Sequence, residues 1–83
     1  MNIWIVNYSS YEDELYSDAD LFTTEDGARK RFNDIVMQIR SEAEERNFNA
    51  PTYDYEQTEY HVYSENRPIE LRVTMNCVSV DIF

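Results

Sequence analysis

The sequence predicts an α+β fold, in which one amphipathic helix packs on one face of a single antiparallel β-sheet of four or five strands, in the order ββαβββ. Two observations support this class. Apolar side chains recur with the period of a helix between residues 25 and 47, and the segments on either side alternate with the period of a strand. The 83 residues are expected to form a single compact domain, residues 1–83, in which this helix covers the sheet.

The first two strands are predicted to form an antiparallel hairpin. Residues 3–8 are rich in β-branched and aromatic side chains on both faces, which indicates a central position in the sheet. Residues 9–14 have turn composition. In the second strand, residues 15–22, one alternate set of side chains is predicted to face the helix and the other to face away. The set predicted to face the helix is Leu15, Ser17, Ala19 and Leu21, and the set predicted to face away is Tyr16, Asp18, Asp20 and Phe22.

The helix is predicted over residues 25–47. Six apolar residues fall on one stripe about 100° wide, which predicts a single buried face. They are Ala28, Phe32, Ile35, Val36, Ile39 and Ala43. Either of the two threonines before the helix can cap it, and Thr23 with Asp26 approximates a capping box. Gly27 is expected to cost about 1 kcal/mol relative to Ala, and Asn47 with Pro51 is expected to end the helix.

After Pro51 the chain is predicted to return to β structure. Tyr53 and Tyr55 either begin a strand or lie in a lead-in loop. Residues 57–64 and 69–75 alternate and are predicted to form a hairpin around residues 65–68. The apolar parity changes after Asn76, which predicts a turn or bulge there and a last strand over residues 77–83, from Cys77 to Phe83.

The chain carries a net charge of −10, and most of the excess lies in its first third. Residues 1–28 hold seven acidic residues and no basic one, whereas residues 29–50 hold five basic and four acidic residues. A field of this sign repels nucleic acid and anionic membranes and favours a basic protein partner. The apolar runs are too short for a signal peptide or a membrane span, so the cytoplasm is the expected location.

No arrangement of residues predicts an enzyme, a cofactor or a metal site. One His and one Cys cannot supply a set of zinc ligands, and the segment from Asp18 to Phe22 departs from the calcium-loop pattern at its third ligand. A single Gly leaves no phosphate-binding loop. Cys77 is expected to be a small buried side chain and His61 a half-exposed sheet residue. We therefore expect a non-enzymatic protein without a cofactor.

The candidate partner-binding residues are acidic and aromatic side chains. Exposed aromatic rings among carboxylates suit docking onto arginine and lysine. The predicted contact residues are Tyr11, Glu12, Asp13, Glu14, Tyr16, Asp18, Asp20, Glu56 and Glu59. The outer face of the helix, basic early and acidic late, is a second-choice contact surface. The alternative interpretation is that the hairpin acids only protect an edge strand from aggregation.

The run Trp4-Ile-Val-Asn-Tyr8, followed by Phe22-Thr-Thr-Glu-Asp-Gly-Ala-Arg29, places a hairpin directly before a helix that starts with Thr-Glu. This first half of the chain resembles the small acidic phage-encoded inhibitors of bacterial machinery, a group that includes anti-CRISPR proteins and DNA mimics. The resemblance implies a cytoplasmic inhibitor whose carboxylates stand in for phosphates. Such an inhibitor would occlude a basic, nucleic-acid-binding surface of a host defence or nucleic-acid-processing protein. The resemblance assigns no individual residue.

Two other functions fit the same residues. An immunity protein or antitoxin would use the same acidity against a basic toxin such as a nuclease. A structural or assembly module would instead form a homodimer through the edge strand predicted from Cys77 to Phe83, whose apolar side chains end the chain. Genomic neighbourhood separates the first two functions, and the oligomeric state tests the third.

Overall fold

The computed structural model describes residues 1–54 and 56–81, and within them it contains one four-stranded antiparallel sheet with one helix on one face. The strands are β1 (Asn2–Glu12), β2 (Glu14–Phe22), β3 (Glu59–Tyr63) and β4 (Glu70–Ser79), and helix α1 (Glu25–Arg46) connects β2 to β3. The strand order is β2-β1-β4-β3. The predicted α+β class, the central position of β1 and the β1–β2 hairpin are therefore confirmed.

Helix α1 buries the stripe that the sequence predicts. Its buried residues are Ala28, Phe32, Ile35, Val36, Ile39 and Ala43. Thr24, rather than Thr23, caps the start, because its Oγ1 accepts a hydrogen bond from the Gly27 N–H at 3.1 Å. Asn47 ends the helix in a left-handed conformation with φ of 56°, as Asn tolerates. Within the described residues, no helix combines the length and the apolar character that crossing a bilayer requires.

Gly27 has a steric role that the sequence pattern does not reveal. A Cβ atom at this position would lie 3.0 Å from the capping Oγ1 of Thr24 and 3.3 Å from the ring of Phe22. Both distances are shorter than ordinary van der Waals contacts, so an alanine would disturb the cap and the ring together. The gain of about 1 kcal/mol that Ala normally brings over Gly in a helix is therefore offset here.

The faces predicted for β2 are wrong. Val6 of β1 is buried beneath α1, and the register of the hairpin pairs Val6 with Asp20. Asp20 and its alternate neighbours therefore lie on the helix side. Leu15 and Leu21 lie on the other face, where they are 73% and 66% exposed. Both sets of β2 side chains include large apolar residues, so the period alone could not choose between them, and the pairing with β1 decides.

The link predicted as a polar turn over residues 9–14 is mostly strand. β1 continues to Glu12 and β2 begins at Glu14, so the chain reverses around Asp13. Asp13 has a φ of 69°, in the left-handed region that Asp adopts more readily than most residues. The hairpin is consequently long, and its tip carries three consecutive acidic side chains with Glu12 directly opposite Glu14.

β3 and β4 form the predicted second hairpin. The Ser64 N–H donates to the Ile69 carbonyl at 3.1 Å across the turn. Tyr60 and Val62 of β3 are buried against α1, as the alternation predicts, while β3 is shorter than the predicted strand. The apolar side chains of β4 that face α1, including Val73, complete this part of the core.

β4 passes through Asn76 without the predicted turn or bulge. Its register with β1 is continuous over ten pairs, and no further strand occurs in residues 80 and 81. The change in apolar parity instead reflects a change in which face of β4 carries the apolar side chains. Apolar side chains lie under α1 up to Met75, whereas Val78 pairs with Ile3 on the face that no helix covers. Residues 82 and 83, the end of the predicted last strand, lie outside the described part of the chain.

The predicted edge strand from Cys77 to Phe83 is therefore not a separate strand. Its described part up to Ser79 belongs to β4, which lies between β1 and β3. β3 pairs with β4 only as far as Thr74, so the outer side of residues 76–79 has no strand partner among the described residues. Cys77, predicted to be buried, is exposed because it lies beyond the part of the sheet that α1 covers.

Tyr53 lies in a loop but belongs to the core. Its ring centroid is 6.1 Å from that of Phe32 and 5.7 Å, edge-on, from that of Tyr60. Its hydroxyl donates a hydrogen bond to the side-chain oxygen of Asn33. Of the two predicted alternatives for Tyr53, the loop that joins α1 to β3 is therefore the correct one. Tyr55 lies outside the described residues.

Candidate functional site

The predicted contact residues do not form one surface. Tyr16, Asp18 and Asp20 of β2 project on the side of the sheet that carries α1, as the pairing with β1 requires. Tyr11 of β1 pairs with Leu15 and therefore lies on the opposite face. The prediction that Tyr16, Asp18 and Asp20 face away from the helix is wrong, because the orientation of β2 is the reverse of the predicted one.

Glu56 and Glu59 are remote from the hairpin. Glu59 lies in β3, the edge strand farthest from β2, about 14 Å away across three strand spacings. Its Oε1 is 3.5 Å from Nε of Arg72, so it is already close to a cation. Glu56 lies in the loop before β3. Glu59 is therefore separated from the acidic residues of β2 by the width of the sheet.

Two of the hairpin acids are paired with arginines of α1. Both carboxylate oxygens of Glu12 accept hydrogen bonds from Arg46, at 2.7 and 3.2 Å. Oδ2 of Asp20 accepts a hydrogen bond from Nε of Arg31 at 2.9 Å. Arg46 also contacts Glu42 at 3.1 Å, one turn earlier in the helix. Arg31 and Arg46 therefore tie the hairpin to the helix at two points along its length.

The other three hairpin acids, Asp13, Glu14 and Asp18, form no ion pair with any described residue. Asp13 and Glu14 are exposed at the tip. Asp18 is exposed on the helix side, where its Oδ1 accepts a hydrogen bond from the Ala19 N–H at 2.8 Å. The hairpin thus presents uncompensated negative charge at its tip and along the free edge of the sheet.

A groove runs between α1 and β2, with a volume of about 260 Å³. It exists because β2 is the edge strand and α1 packs mainly over β1 and β4. The residues that line it come from three elements: Val6, Tyr8, Tyr16, Asp18, Asp20, Arg31, Ile35, Gln38, Ile39 and Glu42. The sequence pattern could not reveal this groove, since its floor, wall and rim are distant in sequence.

Tyr8 and Tyr16 form the aromatic part of the groove. Their ring centroids lie 6.3 Å apart with an angle of 60° between the ring planes. Burial raises the pKa of the Tyr8 hydroxyl, and the nearby Glu42 raises it further, against the opposing effect of a hydrogen bond with Ser10. Tyr8 is therefore a neutral phenol at physiological pH, and it places an uncharged ring beside the carboxylates.

The pair between Glu12 and Arg46 is expected to make stability depend on pH. The hydrogen bond from Arg46 lowers the pKa of Glu12 in the folded protein. A lowered folded pKa contributes stability above the unfolded pKa, and this contribution is lost as the pH falls through the folded value. The Tm difference between the wild type and Glu12→Gln should therefore shrink when thermal unfolding is measured from about pH 6 down to about pH 3.

The same comparison in an Arg46→Gln background provides the control. Without the guanidinium, Glu12→Gln should have little effect on Tm at either pH, because the cause of the pKa shift is gone. The contrary result is a Tm difference between the wild type and Glu12→Gln, both with Arg46 present, that persists unchanged at low pH. That result would show that the pair does not hold the hairpin against the helix in solution.

Two further polar side chains lie away from the groove. His61 is a half-buried sheet residue, as predicted, and its Nε2 lies 3.8 Å from Oε1 of Glu70. Cys77 is free at the other end of the sheet. Among residues 1–54 and 56–81, no three side chains of the types His, Cys, Asp and Glu converge in a way that would hold a metal ion.

Comparisons with protein-family models, with curated proteins and with solved structures find no match to this chain.

Proposed function

We propose that this chain is a non-enzymatic inhibitor that binds a basic, nucleic-acid-binding protein and occludes its basic surface. One observation carries the proposal: Asp13, Glu14 and Asp18 present unpaired charge on a hairpin that two arginines hold against α1. A partner with exposed lysine and arginine would be attracted by this charge and would not have to displace an internal cation.

The arrangement of the tip favours a role in binding over a role in stability. Glu12 and Glu14 lie directly opposite each other across the two strands, and like charges in that position are destabilising. Of these two glutamates, only Glu12 is paired with Arg46. Protecting an edge strand from aggregation requires only a few charges and not three consecutive acids at a turn. The number of acidic side chains beyond what edge protection requires is consistent with selection for binding to a basic partner.

Charge reversal at the tip tests the proposal. The Asp13→Lys/Glu14→Lys variant leaves Glu12 and its pair with Arg46 in place, so the hairpin should stay anchored. Immobilised wild-type protein should retain a basic protein from a bacterial lysate at about 0.15 M salt, where long-range attraction is largely screened, and the variant should lose it. Glu44→Lys/Glu45→Lys on α1 makes the same change in net charge and should retain the partner.

Four outcomes decide among the alternatives. If the tip variant retains the partner, the hairpin tip is not part of the binding site. If both variants lose the partner equally, binding depends on the net charge of the chain and not on the position of the acidic residues. Competition of duplex DNA for the captured partner is expected if the carboxylates replace phosphates. Capture of a toxin nuclease, rather than a defence or nucleic-acid-processing protein, would favour the immunity-protein function.

A homodimeric module is the second candidate, favoured by the sheet face that no helix covers. Ile3, Ile5, Leu21 and Val78 lie together at one end of this face, where β2, β1 and β4 pair. No charged side chain lies among them on these strands, so two copies of a chain with net charge −10 could meet there without opposing carboxylates. A standard interface needs about 800 Å² per partner, roughly one seventh of the 5885 Å² surface.

Light scattering at micromolar concentration tests the second candidate. A dimer should dissociate in Leu21→Lys, which puts a charge in the apolar end of the bare face. Leu15→Lys is the matched control, since Leu15 lies on the same face of the same strand about 20 Å nearer the hairpin tip. A wild-type protein that is monomeric at this concentration would exclude the dimer.

A further inference from the structure

The groove between α1 and β2 has the composition of a binding site for a single side chain. Its floor is apolar, formed by Val6 of β1 with Ile35 and Ile39 of α1. Its volume of about 260 Å³ lies below the roughly 300–1,000 Å³ of sites that bury drug-sized ligands. The space therefore suits an extended side chain from a partner and is too small for a nucleotide or a large cofactor.

The charges around the groove select the sign of that side chain. Asp20 is paired with Arg31, and Glu42 shares Arg46 with Glu12, so each of these carboxylates already contacts an internal cation. Asp18 has no cationic partner among the described residues, and the Ala19 N–H occupies only part of the capacity of its carboxylate to accept hydrogen bonds. An anionic side chain in the groove would face the carboxylate of Asp18 and would find no unpaired cation to bind. A cationic side chain would instead donate hydrogen bonds to the unused acceptor positions of Asp18.

The aromatic rings add a second preference for a cation. Tyr8 and Tyr16 stand next to Asp18 in the lining, and Tyr16 is 55% exposed and therefore accessible from solvent. A cationic group over a tyrosine ring is attracted by the negative face of the ring. The aliphatic part of a lysine or arginine can meanwhile pack over the small apolar area that Val6, Ile35 and Ile39 leave accessible, as long cationic side chains commonly do.

We propose that this groove binds one lysine or arginine side chain of a basic partner. The aliphatic part of the bound side chain packs on Val6, Ile35 and Ile39. Its charged group contacts the carboxylate of Asp18 and lies beside the rings of Tyr8 and Tyr16. The inference rests on the proposed function, because it names the chemical group through which the basic partner is recognised. The hairpin tip and the groove are then different parts of one contact surface for that partner.

Titration with a short arginine peptide tests the groove directly. The probe is a glycine peptide whose only charged side chains are two arginines, and its control is the same peptide with citrulline, which has nearly the shape of arginine without the charge. In amide-resolved NMR of the full chain, the arginine peptide should shift resonances of residues that line the groove, above all Asp18, Tyr8 and Gln38. The citrulline peptide should leave them unshifted.

Matched variants separate the groove from net charge. Asp18→Asn should weaken binding of the arginine peptide about three- to tenfold, as expected for the loss of one partly exposed charge-assisted contact. Glu44→Gln removes the same charge from a residue of α1 that does not line the groove, and it should leave binding unchanged. Tyr16→Ala should weaken binding and Tyr16→Phe should restore it, since the ring and not the hydroxyl contacts the cation.

Other results would overturn the inference. Equal weakening by Asp18→Asn and Glu44→Gln, shifts confined to the hairpin tip, or equal binding of the citrulline peptide would each exclude a cation site in the groove. The proposed function fails separately. If no basic protein is captured from the lysate while the peptide still binds the groove, the inhibitor function is wrong and the site stands. If the Asp18→Asn protein captures its partner undiminished, the function stands and the groove is not used.

Discussion

Phe32→Ala is expected to lower the free energy of unfolding by about 3–5 kcal/mol, the usual cost of removing a buried phenylalanine. Phe32 is fully buried in the first half of α1, and its ring packs against Tyr53 from the loop that precedes β3. Truncation would leave a cavity where the helix and the loop meet, and the surrounding side chains can fill it only in part.

The effect is large for a chain of this size. Small domains have total stabilities of about 5–15 kcal/mol, so the variant would lose a large fraction of the total and part of the population would be unfolded at 37 °C. Thermal and urea unfolding, followed by circular dichroism, measure the change. The fall in Tm should exceed about 12 °C, since 1 kcal/mol corresponds to roughly 4–8 °C in a domain of 60–100 residues.

Met37→Ala is the control for Phe32→Ala. Met37 lies on the same helix but is 40% exposed, and it does not belong to the buried stripe. Its truncation should change the free energy of unfolding by less than about 1 kcal/mol. A Phe32→Ala protein whose Tm equals that of the wild type would show that this stripe is not the contact between α1 and the sheet.

The second large effect is expected from a pair of leucines on opposite faces of the sheet. Leu71 of β4 is only 4% exposed beneath α1, whereas Leu15 of β2 is 73% exposed on the bare face. Leu71→Ala should therefore cost about 2–5 kcal/mol. Leu15→Ala removes the same atoms from a side chain already in water and should stay within about 0.5 kcal/mol.

This comparison tests which way β2 faces. If the even-numbered side chains of β2 pointed away from α1, Leu15 would be part of the core and its truncation would be costly. Urea unfolding of both variants, with unchanged m values, measures the difference in stability without a change in the unfolded state. Equal losses for the two variants would reject the hairpin register in which Val6 pairs with Asp20.

The acidic hairpin was predictable as a region of charge but not as a binding geometry. The excess of acids in residues 1–28 is evident in the sequence. Which acids remain unpaired depends on Arg31 and Arg46, and these reach Asp20 and Glu12 from 11 and 34 residues away along the chain. No local pattern encodes such pairs, because they form only when the helix lies along the hairpin.

The elements that local periodicity specifies could be predicted from the sequence. The stripe from Ala28 to Ala43 selects a helix with one buried face, and the cap at its start and Asn47 at its end follow from local backbone chemistry. The β1–β2 hairpin and the turn around residues 65–68 are likewise short-range features. In each case the interacting residues are close in sequence, so the pattern carries enough information.

Features that depend on pairing between distant strands could be identified only from the folded structure. The period of a strand is two, so Tyr16 and Leu15 compete for the same role until β1 fixes the register of β2. The same pairing carries β4 straight through Asn76 and exposes Cys77 beyond the reach of α1. The groove follows from these choices, since only a particular register places Asp18 and Tyr16 beside the helix.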